Sequence, residues 1–141
     1  MPESTACPCG SGTPYADCCG PLLDGTTLPK TAEALMRSRY TAYTRMDAAY
    51  LTATWHPTTR RKELDLGDPV QWIGLKILHT EAGRPADNKG KVEFIARYKE
   101  GGRAHRLREL SRFQRHDGRW YYLDGRMEDE DSLTGDPDKR G

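Results

Sequence analysis

The chain has 141 residues, of which 35% are hydrophobic and 30% charged. That is enough for one ordinary domain with a small accessory module, and too little for a multidomain machine. Twenty-two Lys and Arg against 21 Asp and Glu leave a net charge of +1, so bulk charge selects neither nucleic acid nor a membrane, and any charged partner must be recognised locally. No apolar run approaches the ~20 residues of a membrane span, and the Met1-Pro2-Glu3 start lacks the basic and apolar regions of a secretion signal. A soluble, cytoplasmic protein is expected.

The first informative segment holds all four cysteines, as Cys7-x-Cys9 and, after eight residues, Cys18-Cys19. A disulfide framework would scatter cysteines to clip distant loops and would not persist in a reducing compartment. Four clustered thiolates can instead complete a tetrahedral shell around zinc, leaving no position for water, as in a structural site. Gly10-Ser11-Gly12 gives the loop freedom to fold back on an ion, Gly20-Pro21 is expected to end the unit, and Ser11 and Tyr15 are candidate supporting residues around the sulfurs. A segment this short has no core of its own, so chelation is expected to unfold it selectively. Adjacent Cys18 and Cys19 also leave a redox dithiol, a vicinal disulfide and iron–sulfur ligation open as alternatives.

Residues 20–30, with Gly20, Pro21, Gly25 and Pro29, read as a connector. Thr31 is a helix N-cap with Glu33 in the first turn, and Leu35, Met36, Tyr40 and Tyr43 form one apolar stripe. Asp47 caps a second helix from Ala48 to about Trp55, ended by Pro57. Beyond residue 70 the period becomes two. Strands are expected over 72–79, 92–99, 106–115 and 119–123, joined by a polar loop over 83–90, a turn at Gly101-Gly102, and a tight hairpin at Asp117-Gly118. Helices followed by a long antiparallel meander imply an α+β domain, with helices packed on a curved antiparallel sheet that can leave a cone-shaped hollow. Residues 127–141, acidic over Glu128 to Asp131, are expected to be a disordered tail.

In the third strand, alternation puts Leu107, Glu109, Ser111 and Phe113 on an inward face. Glu109, desolvated within a concavity, is a candidate general acid or base with Ser111 beside it; a structural ion pair with Arg37 or Arg39 is the competing role. Trp55, Trp72, Tyr98, Phe113, Trp120 and Tyr122 are the candidate pocket residues, and core filling is the ordinary alternative for such aromatics. Arg106, Arg108, Arg112, Arg115 and Arg119 form a candidate basic face for RNA or ribosomal phosphate, with Glu93 available to neutralise part of it.

The run Cys7-Pro8-Cys9-Gly10-Ser11-Gly12, followed by Tyr15 and Cys18-Cys19-Gly20, resembles the SEC-C motif, the zinc-binding element at the C-terminal end of the SecA translocation ATPase. With that motif placed first, and with Leu35-Met36-Arg37-Ser38-Arg39-Tyr40, Thr54-Trp55-His56-Pro57 and Glu109-Leu110-Ser111-Arg112-Phe113 behind it, the chain resembles the YchJ family over roughly residues 7–126. The resemblance implies a small N-terminal zinc-binding motif over residues 1–20 and a domain over 31–126 similar to nuclear transport factor two. It also suggests, by analogy with SecA, a protein partner. A second, C-terminal cysteine motif found in some relatives is missing from this sequence. The leading expectation is a zinc-dependent protein-docking module joined to a pocket-bearing domain, with a small-molecule ligand in that pocket left open. A small isomerase or hydrolase using Glu109, and an RNA- or ribosome-associated protein, are the alternatives.

Overall fold

The computed structural model describes residues 6–60 and 70–127. A short 3-10 turn, Tyr15–Asp17, leads into helix α1, Cys19–Leu23, followed by α2, Ala32–Thr44, and α3, Ala48–Ala53. Four strands follow: β1, Gln71–Ala82; β2, Lys89–Glu100; β3, Arg103–His116; and β4, Arg119–Met127. They pair antiparallel in the order β1-β2-β3-β4, the meander expected from the alternation. The acidic run expected to form a tail lies outside the described residues.

Local chemistry places the helix starts. Thr31 is extended, and its Oγ1 accepts from the Ala34 amide at 3.0 Å, while Asp47 Oδ1 accepts from the Tyr50 amide at 3.0 Å. α3 stops at Ala53, before Trp55, because Trp55 is drawn into a bridge with Tyr122 of β4. The segment around Gly20-Pro21 departs from expectation: instead of ending the cysteine unit, both residues lie inside α1. Proline costs little there, since the amides of a helix's first turn have no intrahelical acceptor to lose.

The hairpins form where the sequence marks them. Gly101 and Gly102 both have positive φ, as do Asp117 and Gly118, the backbone that the Asp-Gly pair favours in a two-residue turn. The strands are longer than the alternation indicated, because pairing continues through polar residues, as in Lys99↔Ala104 and Glu100↔Arg103. Register slips around Ile73, Leu78 and the Arg112/Phe113 step add residues to one strand of a pair and bend the sheet.

Val92, Phe94 and Ala96 of β2, Phe113 of β3 and Trp120 of β4 pack against Leu35, Met36 and Tyr40 of α2. Cys7, Cys9 and Cys19 are buried in that same cluster. The cysteine loop therefore shares its interior with the main domain, so it has a core to pack into that the expectation of a segment ordered mainly by metal did not include. α2 buries more than its apolar stripe. Ser38 Oγ bonds Leu35 O and Tyr50 Oη, and Arg39 Nη1 donates to Leu51 O and Thr54 Oγ1, so these buried polar groups bind α3 to α2.

Candidate metal centre and inward-facing polar group

The turn from Cys7 to Cys9 and the start of α1 bring four free thiols together, with all four sulfurs within 4.8 Å of one another. Cys9 Sγ lies 3.6 Å from Cys18 Sγ, which is 4.0 Å from Cys19 Sγ. A tetrahedron with metal–sulfur bonds of about 2.3 Å has edges of roughly 3.8 Å, so these separations suit a common central ion. They are far longer than a disulfide bond. Cys7, Cys9 and Cys19 are buried and Cys18 is half-buried, which places the donors at the edge of the core.

The surroundings favour negative charge at one sulfur and resist its accumulation. Hydrogen bonding from Cys19 holds the Cys9 thiol below its ordinary range, against the opposing effect of burial and with help from Ser11. That same bond pushes the Cys19 thiol up, reinforced by burial, and burial raises Cys18. Four thiolates together need a cation among them, so this donor set fits a thiophilic metal ion.

Ser11 Oγ lies 3.1 Å from Cys18 Sγ, the supporting contact expected of it. Tyr15 has a packing role: its ring lies against Gly20 on one side, and the Arg45 guanidinium sits 4.1 Å from its centroid. Two further residues support the cluster: Thr41, which the sequence does not mark, and Arg37, expected instead beside Glu109. Arg37 Nη1 donates to Cys9 O at 2.7 Å, and buried Thr41 Oγ1 lies 3.7 Å from Cys7 Sγ. Their four-residue spacing on α2 puts them on one helix face, and that was the available signal. Only the folded chain shows which segment that face meets.

Across the core, Glu109 and Ser111 face inward on β3. Ser111 Oγ donates to Glu109 Oε2 at 2.8 Å, and Tyr122 Oη approaches the same oxygen at 3.4 Å. The carboxylate lies over Gly125, whose missing side chain leaves it room: a Cβ there would be 1.9 Å from Oε2. Neither expected arginine bridges it. Arg37 pairs with Glu33 at 2.9 Å, and Arg39 is committed to α3 while its guanidinium lies 4.4 Å from the centroid of the Tyr122 ring. Burial lowers the Arg39 pKa and raises that of Tyr122. Clefts of about 310, 430 and 330 Å³ lie elsewhere, and Glu109 lines none of the three.

The six candidate pocket aromatics divide between roles. Phe113 and Trp120 are buried in the core, and Trp120 Nε1 donates to Lys30 O. Trp72 meets Tyr40 edge-on and tilts against Tyr98, which stacks on His105, while Trp55 meets Tyr122 edge-on. Of the proposed basic face, Arg106, Arg108 and Arg112 share the outer side of β3. Arg108 pairs with Glu93 at 2.7 Å and Arg112 with Asp124 at 2.5 Å, so the face is mixed in charge. Arg115 leaves that stripe because its odd position points it the other way; it donates to Pro85 O and, at 3.1 Å, to Asn88 Oδ1 in the β1–β2 loop. Arg119 sits at the β3–β4 hairpin. Among the described residues no helix is long and apolar enough to cross a membrane.

Residues 31–125 match the family model of the YchJ middle domain, which is NTF2-like, and residues 4–21 match the SEC-C motif. The chain belongs to the YchJ family. It is 53% identical to a UPF0225 protein of Chromobacterium violaceum, over 85% of this chain and 91% of that protein. A UPF0225 protein of Streptomyces coelicolor is 49% identical over 87% of this chain and 96% of its own length. Among solved structures, the solution structure of a SEC-C motif-containing protein from Rhodopseudomonas palustris aligns with a TM-score of 0.73 at 40% identity, covering 84% of this chain and 95% of that one. The crystal structure of a SEC-C motif-containing protein from Psychrobacter arcticus gives 0.69 at 29% identity, over 84% and 80%. The fold is thus that of a YchJ-family protein: a cysteine cluster that can hold a metal ion, beside a few helices on a curved four-stranded antiparallel sheet.

Proposed function

We propose that Cys7, Cys9, Cys18 and Cys19 hold a structural zinc ion and that the unit so formed is a protein-docking module attached to the sheet domain. The observation that carries this reading is the set of four free thiols whose sulfurs converge within 4.8 Å. When bound, zinc would supply charge compensation for the thiolates and fix the two cysteine pairs relative to each other; four sulfurs leave it no place for a reactant. Ser11, Arg37 and Thr41 hold the ligand-bearing backbone and sulfurs in position. Free thiols at this density suit a reducing compartment, so we place the protein in the cytoplasm.

A protein partner is favoured over RNA because Arg108 and Arg112 already have carboxylate partners. The bond from Ser111 holds the Glu109 carboxylate along β3 and the Tyr122 hydroxyl reaches it from β4, and we assign that group to sheet packing. Metal analysis of freshly purified protein, with thiol counting, tests the site: one zinc per chain and four thiols freed on chelation are expected. A stoichiometric pair of disulfides or an iron cluster would overturn it. Pull-downs with wild type and Cys9→Ser test the role, and a Cys9→Ser variant that keeps every partner would refute docking.

A further inference from the structure

α1 begins at Cys19, so the cysteine cluster fixes where the next turn of chain goes. Leu22 and Leu23 of that helix, with Leu28 of the connector, Ala53 of α3, and Trp120 and Tyr121 of β4, line a largely apolar cleft of about 310 Å³. The volume is at the lower end for ligand sites, which suits one bulky side chain with its adjoining backbone better than a large cofactor. Leu28 is 44% exposed, so apolar surface remains open at the cleft.

The charged groups of the lining are unevenly placed. Asp24 and Asp47 belong to the helical side, and Arg119 belongs to the sheet side. Asp24 Oδ1 accepts from the Thr26 amide and hydroxyl, which hold its carboxyl below the usual range, and Asp47 Oδ1 caps α3. Among the described residues neither has an arginine or lysine partner, and each keeps a second oxygen free to accept. An apolar side chain entering the cleft beside a positive charge would bury its hydrocarbon against the leucines and aromatics and set its cation near those carboxylates, away from Arg119.

We infer that this cleft is the docking site for a peptide segment of a partner protein, one that presents a leucine-sized apolar residue next to a lysine or arginine. The inference rests on the docking role proposed above and names its surface. Because the Cys18-Cys19 pair sets the start of α1, metal loading fixes the leucine wall, and the bound peptide must in turn strengthen metal retention.

The test uses full-length, zinc-loaded, isotope-labelled protein titrated with an acetylated, amidated Lys-Leu-Gly peptide, alongside matched Lys-Ser-Gly and Glu-Leu-Gly peptides and free leucine. Saturable amide shifts at Leu22, Leu28, Ala53 and Tyr121 are expected. The Lys-Leu-Gly peptide should bind at least about tenfold tighter than each comparison compound, since removing the apolar group forfeits most of the buried area. Ala53→Leu, which fills the cleft from an exposed helix position, and Leu28→Ser, at a residue 44% exposed, should abolish the shifts while leaving the melting temperature near wild type. Shifts confined to another surface, no shift at all, equal binding of Glu-Leu-Gly, or equal binding of free leucine would each overturn the inference. If Cys9→Ser loses partners in pull-downs while Ala53→Leu and Leu28→Ser retain them, docking stands and the cleft is wrong. If peptide still saturates the cleft in Cys9→Ser with unchanged affinity, the cleft stands and metal-dependent docking fails.

Discussion

Gly125→Ala is a sharp probe of the inward polar group. Gly125 is paired with Ser111 and lies beneath the Glu109 carboxylate, so a Cβ would come within 1.9 Å of Oε2 and 3.0 Å of Tyr122 Oη. The carboxylate must swing away. Ser111, only 1% exposed, then loses the acceptor of its 2.8 Å bond and keeps no other side-chain partner among the described residues. A buried donor left without its acceptor costs about 1–3 kcal/mol, while alanine in a strand gains roughly 0.5–1 kcal/mol over glycine, giving a net loss centred on about 1 kcal/mol. For a chain of this size that is a fall of roughly 3–5 °C in Tm. Chemical and thermal denaturation of wild type, Gly125→Ala, Glu109→Ala and the double variant would measure it. With Glu109 removed, the same Gly125→Ala change should be close to neutral, because no carboxylate remains to be displaced and only the Tyr122 hydroxyl, 3.0 Å from the new Cβ, has to give by a few tenths of an ångström. Equal losses in both backgrounds, meaning a coupling below about 0.5 kcal/mol, would refute the reasoning.

Three further outcomes are expected. Chelation should lower the stability of the whole chain in one cooperative transition, by about 2.7 kcal/mol relative to zinc at a hundredfold over its Kd, because three of the cysteines share the core with α2 and the sheet; calorimetry showing an early melt of the cysteine segment alone would count against this. Tyr40, Tyr50 and Tyr122 are all raised above the ordinary 10.0, chiefly by burial, so the folded state keeps phenolic protons that the unfolded state releases. Stability should hold up to about pH 10 and fall as pH rises beyond it, less steeply in Tyr122→Phe, as followed by phenolate absorbance and circular dichroism. Removing the exposed Arg112–Asp124 pair with Arg112→Ala should change stability by no more than about 1 kcal/mol, and a larger loss in denaturant titration would show that the outer face contributes more than surface ion pairs do.

Much of this protein is legible without coordinates because its signals are local. The cysteine spacing, the caps at Thr31 and Asp47, the Asp117-Gly118 turn and the alternation of Val92, Phe94 and Ala96 each act over a few residues, so sequence by itself determined a clustered thiol site, two helices and an antiparallel meander. Contacts between distant segments set the rest. Nothing near Cys7 announces that Thr41 and Arg37 will stand beside the cluster, and nothing near Glu109 shows that Gly125 leaves room for its carboxylate and that Arg39 will turn to α3. Arg115 illustrates the difference: parity alone takes it off the arginine stripe, but its bonds to Pro85 and Asn88 exist only because the β1–β2 loop reaches that end of the sheet. Tertiary packing likewise decided that the cysteines share one core with the main domain and that α1 becomes the wall of a cleft, since burial and shape depend on what the chain places opposite each residue.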